Sequence, residues 1–158
     1  MHMRMRNFKT NHTHTYTITR KSFLYRLRYR LGKRLEHAGL SLEWGVQDLP
    51  TLPWLDPSSA LHILRIVQES IANILRHTRA TTIRVHTARQ DGTVQVVIAD
   101  NGQGFDVATA LAKPGGRGLH NQQRRAQTVG GRVHWDSGPQ GTTFTLHLPL
   151  VRPPASPL

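Results

Sequence analysis

The sequence predicts a two-layer α/β (α+β) sandwich, a mixed sheet with helices on one face. Three observations predict it. Segments of regular hydrophobic period follow the order helix, strand, long helix, two strands, loop, helix, two strands. The apolar series Leu61, Leu64, Ile66, Val67, Ile71, Ile74 and Leu75 is long enough for a helix that crosses a whole domain. The last four β-rich runs form two pairs, and the first pair is joined through Asp91-Gly92, a turn that needs positive φ and so marks a hairpin. At 158 residues the chain has room for one ordinary domain with a real core. The expected division is a basic tail over 1–22, a domain over 23–150 and a loose proline-rich tail over 151–158.

Each element has a local reason. From Phe23 to His37, Leu24, Leu27, Leu31 and Leu35 recur at helical spacing with Arg26, Arg28, Arg30, Lys33 and Arg34 between them, an amphipathic helix that ends near Gly39. Leu40, Leu42, Trp44 and Val46 alternate with Ser41, Glu43 and Gly45, the period of a half-buried strand. Leu49 to Pro53 reads as a rigid connector. Asp56 and Pro57 then supply an N-cap and a first-turn proline for the long helix, which should run to about Thr78. Thr82 to Ala88 and Thr93 to Ala99 are the strands of the first hairpin. Residues 105–118, rich in Ala and Gly, predict a short helix and a flexible loop. Leu119 to Val129 predicts a helix stopped by Gly130-Gly131, and Arg132 to Trp135 with Thr142 to Leu148 predicts a second hairpin.

Composition narrows the function classes. The net charge is +12, but 10 of the 21 Lys and Arg lie in residues 1–40 against the single acid Glu36, so residues 41–158 carry only +3. No helix-turn-helix, zinc-finger or aromatic RNA-binding signature accompanies the basic start, and no specific nucleic-acid partner is expected. With no cysteine, disulfides and Cys-based zinc sites are excluded, which fits a cytoplasmic setting. No stretch reaches the ~20 apolar residues of a membrane-spanning helix, so no span is expected in this chain.

Several polar residues are placed by spacing. Glu69 and Asn73, four apart, share a helix face, and His62, Arg65, Glu69, Asn73 and Arg76 fall in one polar arc. Spacing alone favours a solvent-facing stripe. Val94, Val96, Ile98 and Asp100 share strand parity, so Asp100 is directed to the apolar side of the sheet. Gly116-Arg-Gly118-Leu119 stands just before a helix, where free N–H groups attract phosphate.

Taken together, four segments resemble the motifs of the sensor histidine kinase ATPase family. Glu69-Ser-Ile-Ala-Asn73-Ile-Leu-Arg-His77 resembles its N box and Asp100-Asn-Gly102-Gln-Gly104-Phe105 its first glycine box. Gly116-Arg-Gly118-Leu119 is similar to the second glycine box, and Gly138-Pro-Gln-Gly141-Thr142-Thr143-Phe144 to the closing glycine-threonine element. The resemblance covers roughly residues 23–150 and implies the Bergerat ATP-binding fold, with ATP and Mg as ligands. It assigns Asn73 to the metal and Glu69 to a catalytic role at the attacking nucleophile or the water around the metal. Arg76 and His77 match the basic pair that follows, with Arg76 toward phosphate. Asp100 would accept from the adenine amino group, and Gly102 and Gly104 would let backbone pass close to the base. Gly116, Gly118 and Leu119, with Lys113 and Gly115, would form the lid over the triphosphate, which Gly141 and Thr142 close from the opposite side.

The stretch from Gly118 to Ala126, followed by Gly130-Gly131, resembles the short kinases of nitrate-type and degradative-enzyme response systems, with Gln122 where Met is usual and Arg124 where Glu is usual. The implied activity is ATP-dependent phosphoryl transfer to histidine. No phosphoacceptor is evident among His2, His12, His14 and His37, so the acceptor-histidine dimerisation domain and the response regulator are expected in trans or in a fuller-length protein. The alternatives are an anti-sigma-type serine kinase of the same fold and a nucleotide-binding interaction module without catalysis.

Overall fold

The computed structural model describes residues 25, 27–46, 52–115 and 117–151. The basic tail over 1–22, nearly all of the C-terminal tail, the first half of the Leu49 to Pro53 connector and Gly116 lie outside the described residues.

Helix α1 covers 27–37 and buries Leu31 and Leu35. It stops where expected, because Gly39 N–H donates to Glu36 O at 3.0 Å and Leu40 N–H to Leu35 O at 2.8 Å, which satisfies its last carbonyls. Strand β1, Ser41–Gly45, follows. Helix α2, Pro57–His77, is capped by Asp56, whose carboxylate accepts from Ser59 N–H at 2.7 Å. Its apolar stripe buries Ile66, Val67, Ile71 and Ile74. Burying a side chain of this size is worth about 1.5–3 kcal/mol, so that stripe fixes how α2 lies on the sheet.

Strands β2, Thr82–Gln90, and β3, Thr93–Asp100, form the predicted hairpin, with Asp91 at φ 46° and Gly92 at φ 73°. Helix α3, Val107–Ala112, and helix α4, Arg117–Thr128, lead to the second hairpin of β4, Arg132–Gly138, and β5, Gly141–Pro149. The sheet order is β1-β2-β3-β5-β4, with β1 parallel to β2 and the other pairs antiparallel. The expected mixed sheet is therefore present. Its helix-facing side joins Ile83, Val85, Ile98, Phe144 and Leu146 to α1, α2 and α4 in one core. Its other side carries Arg84, Gln95, Thr145 and His147, with Val97 as a buried exception.

Several boundaries differ from expectation, among them the end of β2, which runs on to Gln90, and two that touch the site. Helix α4 begins at Arg117, not Leu119, so Gly118 and Leu119 stand inside its first turn. Strand β4 runs on to Gly138, because Asp136 and Ser137 pair with Thr143 and Thr142. Asp-Ser-Gly reads locally as a turn, and cross-strand pairing overrides that preference.

Candidate functional site

Asp100 is the last residue of β3, in register with Ile83 on one side and Thr142 on the other. Its carboxylate therefore faces the helices, as its parity predicts, at the open end of the sheet. Burial pushes its pKa above the ordinary carboxylate value, and backbone hydrogen bonds from Gly102 and Thr142 partly offset that rise. The Gly102 bond measures 2.8 Å.

The loop after Asp100 is held on three sides. Asn101 Oδ1 accepts from Thr81 N–H at 2.8 Å and Thr82 N–H at 3.0 Å, which fastens the loop to the start of β2. Gln103 Nε2 donates to His77 O at 3.1 Å, at the end of α2. Phe105 N–H donates to Ser137 Oγ at 2.8 Å, and Ser137 Oγ shares a 2.7 Å hydrogen bond with Thr142 Oγ1.

Three glycines here answer to protein contacts, Gly102 among them, where a Cβ would meet Thr78 Cβ at 2.5 Å. A side chain at Gly104, φ 71°, would place Cβ 2.1 Å from Gly138 O, and one at Gly141, φ 132°, would place it 2.0 Å from Asp100 O. Their bareness lets the loop and the β4–β5 turn close against each other.

Between these loops, α2 and the start of α4 lies a cavity of about 370 Å³. That size suits a nucleotide-sized ligand. Ile74, Ile98, Leu119, Trp135 and Phe144 give it apolar walls, Asp100 and Thr142 lie at its sheet end, and Asn73, His77 and Lys113 at its helix end. A larger recess of about 880 Å³ lies on the outer side of α3 and α4, lined by His120, Gln123 and Arg124 among others. Of the residues the sequence assigns to the nucleotide site, that open recess touches only Lys113 and Gly115 of the lid, whereas Asn73, His77, Asp100, Lys113, Gly118, Leu119 and Thr142 line the smaller cavity.

The structure thus brings Asn73, His77, Asp100, Gly118, Leu119 and Thr142 onto one cavity wall. Gly102, Gly104 and Gly141 stand behind that wall, and Gly116 is outside the described residues. Glu69 and Arg76, both within α2, do not line the cavity. Arg76 Nη2 is 3.2 Å from Glu69 Oε1 and 3.2 Å from Asn73 Oδ1, and a Cβ at Gly118 would come within 3.2 Å of the same Glu69 oxygen.

Two polar residues behave differently from their sequence reading. His62 does not sit freely in a solvent-facing arc, for its Nδ1 is buried without a partner. Gln122 is fully buried and donates to Ser70 Oγ at 2.6 Å and Ile66 O at 3.2 Å, while its Oε1 has no partner. The lid helix is thereby pinned to α2 by polar bonds.

Ser137, Thr78 and Ser70 were not singled out by sequence. Ser137 carried one signal, its place four residues before Gly141, which makes sense only once the β4–β5 ladder is known.

This arrangement can hold a flat ring that donates an amino hydrogen to Asp100, with a polyanion toward Asn73, Lys113 and the N–H groups at the start of α4. No helix among the described residues is long and apolar enough to cross a membrane.

Residues 58–152 match the family of histidine kinase-, DNA gyrase B- and HSP90-like ATPases. The chain is 40% identical over 93 residues to an uncharacterized sensor-like histidine kinase of Chloroflexus aurantiacus, covering 56% of this chain and 16% of that protein. It is 38% identical over 92 residues to the sensor protein VraS of Staphylococcus haemolyticus, covering 58% of this chain and 26% of that one. The chain thus spans about a quarter or less of the length of these curated relatives. Its fold is similar to that of the Acinetobacter baumannii histidine kinase AdeS, with TM-score 0.68, 20% identity, and 82% of this chain and 64% of that one covered. It is also similar to the histidine kinase domain of the Erythrobacter litoralis EL346 blue-light activated kinase, at TM-score 0.65 and 18% identity over 82% of this chain and 60% of that one. With the family matched over more than half its length, a Bergerat-type sheet and a nucleotide-sized cavity at the sheet's open end, this chain belongs to the histidine kinase-, DNA gyrase B- and HSP90-like ATPase family.

Proposed function

We propose that this chain is the ATP-binding catalytic module of a two-component sensor histidine kinase, with Mg-ATP in the cavity between α2, the ends of β3 and β5 and the lid. Membership of an ATPase family implies ATP binding. The observation that carries the reading further is the convergence of Asp100, Thr142, Asn73 and the start of α4 on that single cavity.

In this reading Asp100 accepts from the adenine amino group while the apolar walls clasp the ring. Gly102 and Gly104 shape the loop that presents Asp100, and Gly141 brings Thr142 to close the opposite side. The lid, comprising Lys113, Gly116, Gly118 and Leu119, offers charge and backbone N–H groups to the phosphates. Arg76 and His77 flank them at the end of α2.

Asn73 and Glu69 fit a hard cation by chemistry, since both offer oxygen and both oxygens face one nitrogen at 3.2 Å. A bound Mg²⁺ supplies charge neutralisation to the transferring phosphoryl group. Glu69 lies within reach of that point and orients the attacking group. The acceptor imidazole, its dimerisation domain and the response regulator come from another segment or chain. The stretch from Gly118 to Ala126 favours the nitrate-type and degradative-enzyme-type kinases as the subfamily, and the lack of cysteine fits the cytoplasm as the setting.

Calorimetry with Mg-ATP tests the pocket, and absence of binding sinks the reading. Labelled ATP with a separately produced acceptor hairpin tests the transfer. Acid-labile label on the hairpin is the expected result, and acid-stable label on a partner points instead to a serine kinase.

A further inference from the structure

We propose that Arg76 is a built-in placeholder for the divalent cation, so that its guanidinium covers the point where Glu69 and Asn73 converge and must leave before metal can load. The inference rests on the reading of this cavity as a Mg-ATP site.

The geometry is specific. One terminal nitrogen, Arg76 Nη2, lies 3.2 Å from Glu69 Oε1 and 3.2 Å from Asn73 Oδ1. That nitrogen carries two hydrogens, one for each oxygen. The three residues sit at positions i, i+4 and i+7 of α2, which places them on one face of the helix. A positive group therefore already faces the two oxygens that a hard cation would use. The two occupants exclude each other, because Mg²⁺ binds oxygen at about 2.0–2.1 Å and would be pressed against a like charge.

The surroundings suit a removable plug. The side chains of Arg76 and Glu69 are 57% and 37% exposed, and exposed ion pairs of this kind are weak. Gly118, at the start of α4, lies beside the same Glu69 oxygen, where a Cβ would approach to 3.2 Å. His77 and Lys113 are the other basic groups at this end of the cavity, and neither is hydrogen-bonded to Glu69 or Asn73 in the structure.

The consequence is a coupling between two ligands. A polyanion draws Arg76 toward itself and so uncovers Glu69 and Asn73, which makes nucleotide and metal binding mutually favourable. Metal without nucleotide meets a covered site.

The test uses Mn²⁺ as the probe, without nucleotide, read as paramagnetic broadening of the Asn73 side-chain amide in NMR spectra. Arg76→Ala and Arg76→Gln are expected to lower the Mn²⁺ midpoint about two- to fivefold, while weakening metal-free ATP binding by calorimetry. Opposite signs are the signature, since a residue that only braced the helix end would weaken both. The gain should vanish in the Asn73→Ala/Arg76→Ala double variant, followed at Glu69. Unchanged or higher midpoints in the Arg76 variants, no Mn²⁺ response at Asn73 in any protein, or a gain that survives the double substitution each overturn the placeholder. Failure of the wild type to bind Mg-ATP would instead remove the reading beneath it. Intact Mg-ATP binding with an unmoved Mn²⁺ midpoint removes the placeholder alone.

Discussion

At the sheet end of the cavity the polar groups are held by backbone and by neighbouring loops, whereas at the helix end they are held chiefly by one another. Asp100 takes bonds from Gly102 and Thr142, and Thr142 is tied through Ser137 to Phe105. Glu69 and Asn73 share a single exposed arginine. The difference matches the two tasks proposed for them. A rigid aromatic ring is read best by a preformed, partly desolvated acceptor, while a phosphate chain and a cation that arrive and leave need side chains that exchange partners cheaply.

The largest expected effect comes from breaking the rigid end. Gly141→Ala forces a Cβ to 2.0 Å from Asp100 O at a φ of 132°. A cost of about 3 kcal/mol or more should follow, lowering the melting temperature by roughly 10 °C. A melting temperature within two degrees of wild type, as measured by circular dichroism, would mean that the turn is as adaptable as the helix end.

Next in size is Asp100→Asn, which replaces the charged, acceptor-only carboxylate with a neutral amide that keeps one accepting oxygen and puts an N–H donor in place of the other. ATP affinity should fall about 10- to 100-fold by calorimetry. The folded-state pKa of Asp100 lies above its unfolded value, so its ionised form costs stability at neutral pH, and that cost disappears as pH falls through the raised pKa toward 3.8. The variant should therefore be at least as stable as wild type at pH 7 despite losing ATP. In wild type, ATP binding should weaken with acid before the ordinary Asp range is reached.

Asn73→Ala sharpens the contrast from the other side. Mg-ATP affinity should fall about 3- to 10-fold while metal-free ATP binding changes little, because a single neutral oxygen ligand is lost from an exposed site. An equal loss in both measurements would place Asn73 against the nucleotide itself.

The smallest effect is expected behind the wall. Gln122→Met restores the residue usual in the resembled kinases and removes the orphaned Oε1, while Ser70 Oγ keeps its 3.1 Å bond to Ile66 O. Stability should stay level or rise by about 1 kcal/mol, with ATP affinity within about twofold of wild type. A loss of stability in denaturant melts would show that the α2–α4 hydrogen bonds outweigh the buried oxygen.

Much of this was legible locally. Leucine and isoleucine spacing located α1 and α2, Asp56-Pro57 started α2, and Asp91-Gly92 set the first hairpin, because each depends on residues within one or two turns of chain. Strand parity alone sent Asp100 to the helix side. The order of the four motifs named the fold and the ligand class.

What the sequence by itself determined, then, was periodicity, turns and the facing of Asp100. Only the tertiary structure decided that β5 lies between β3 and β4, that Ser137 bridges Phe105 to Thr142, and that Gly104 and Gly141 are bare because carbonyls approach them. It alone buried Gln122 against Ser70 and turned the lone pairs of Glu69 and Asn73 toward one Arg76 nitrogen. These features join residues far apart in the chain, or choose among rotamers that helix spacing leaves equally open, and packing against the rest of the fold selects among them.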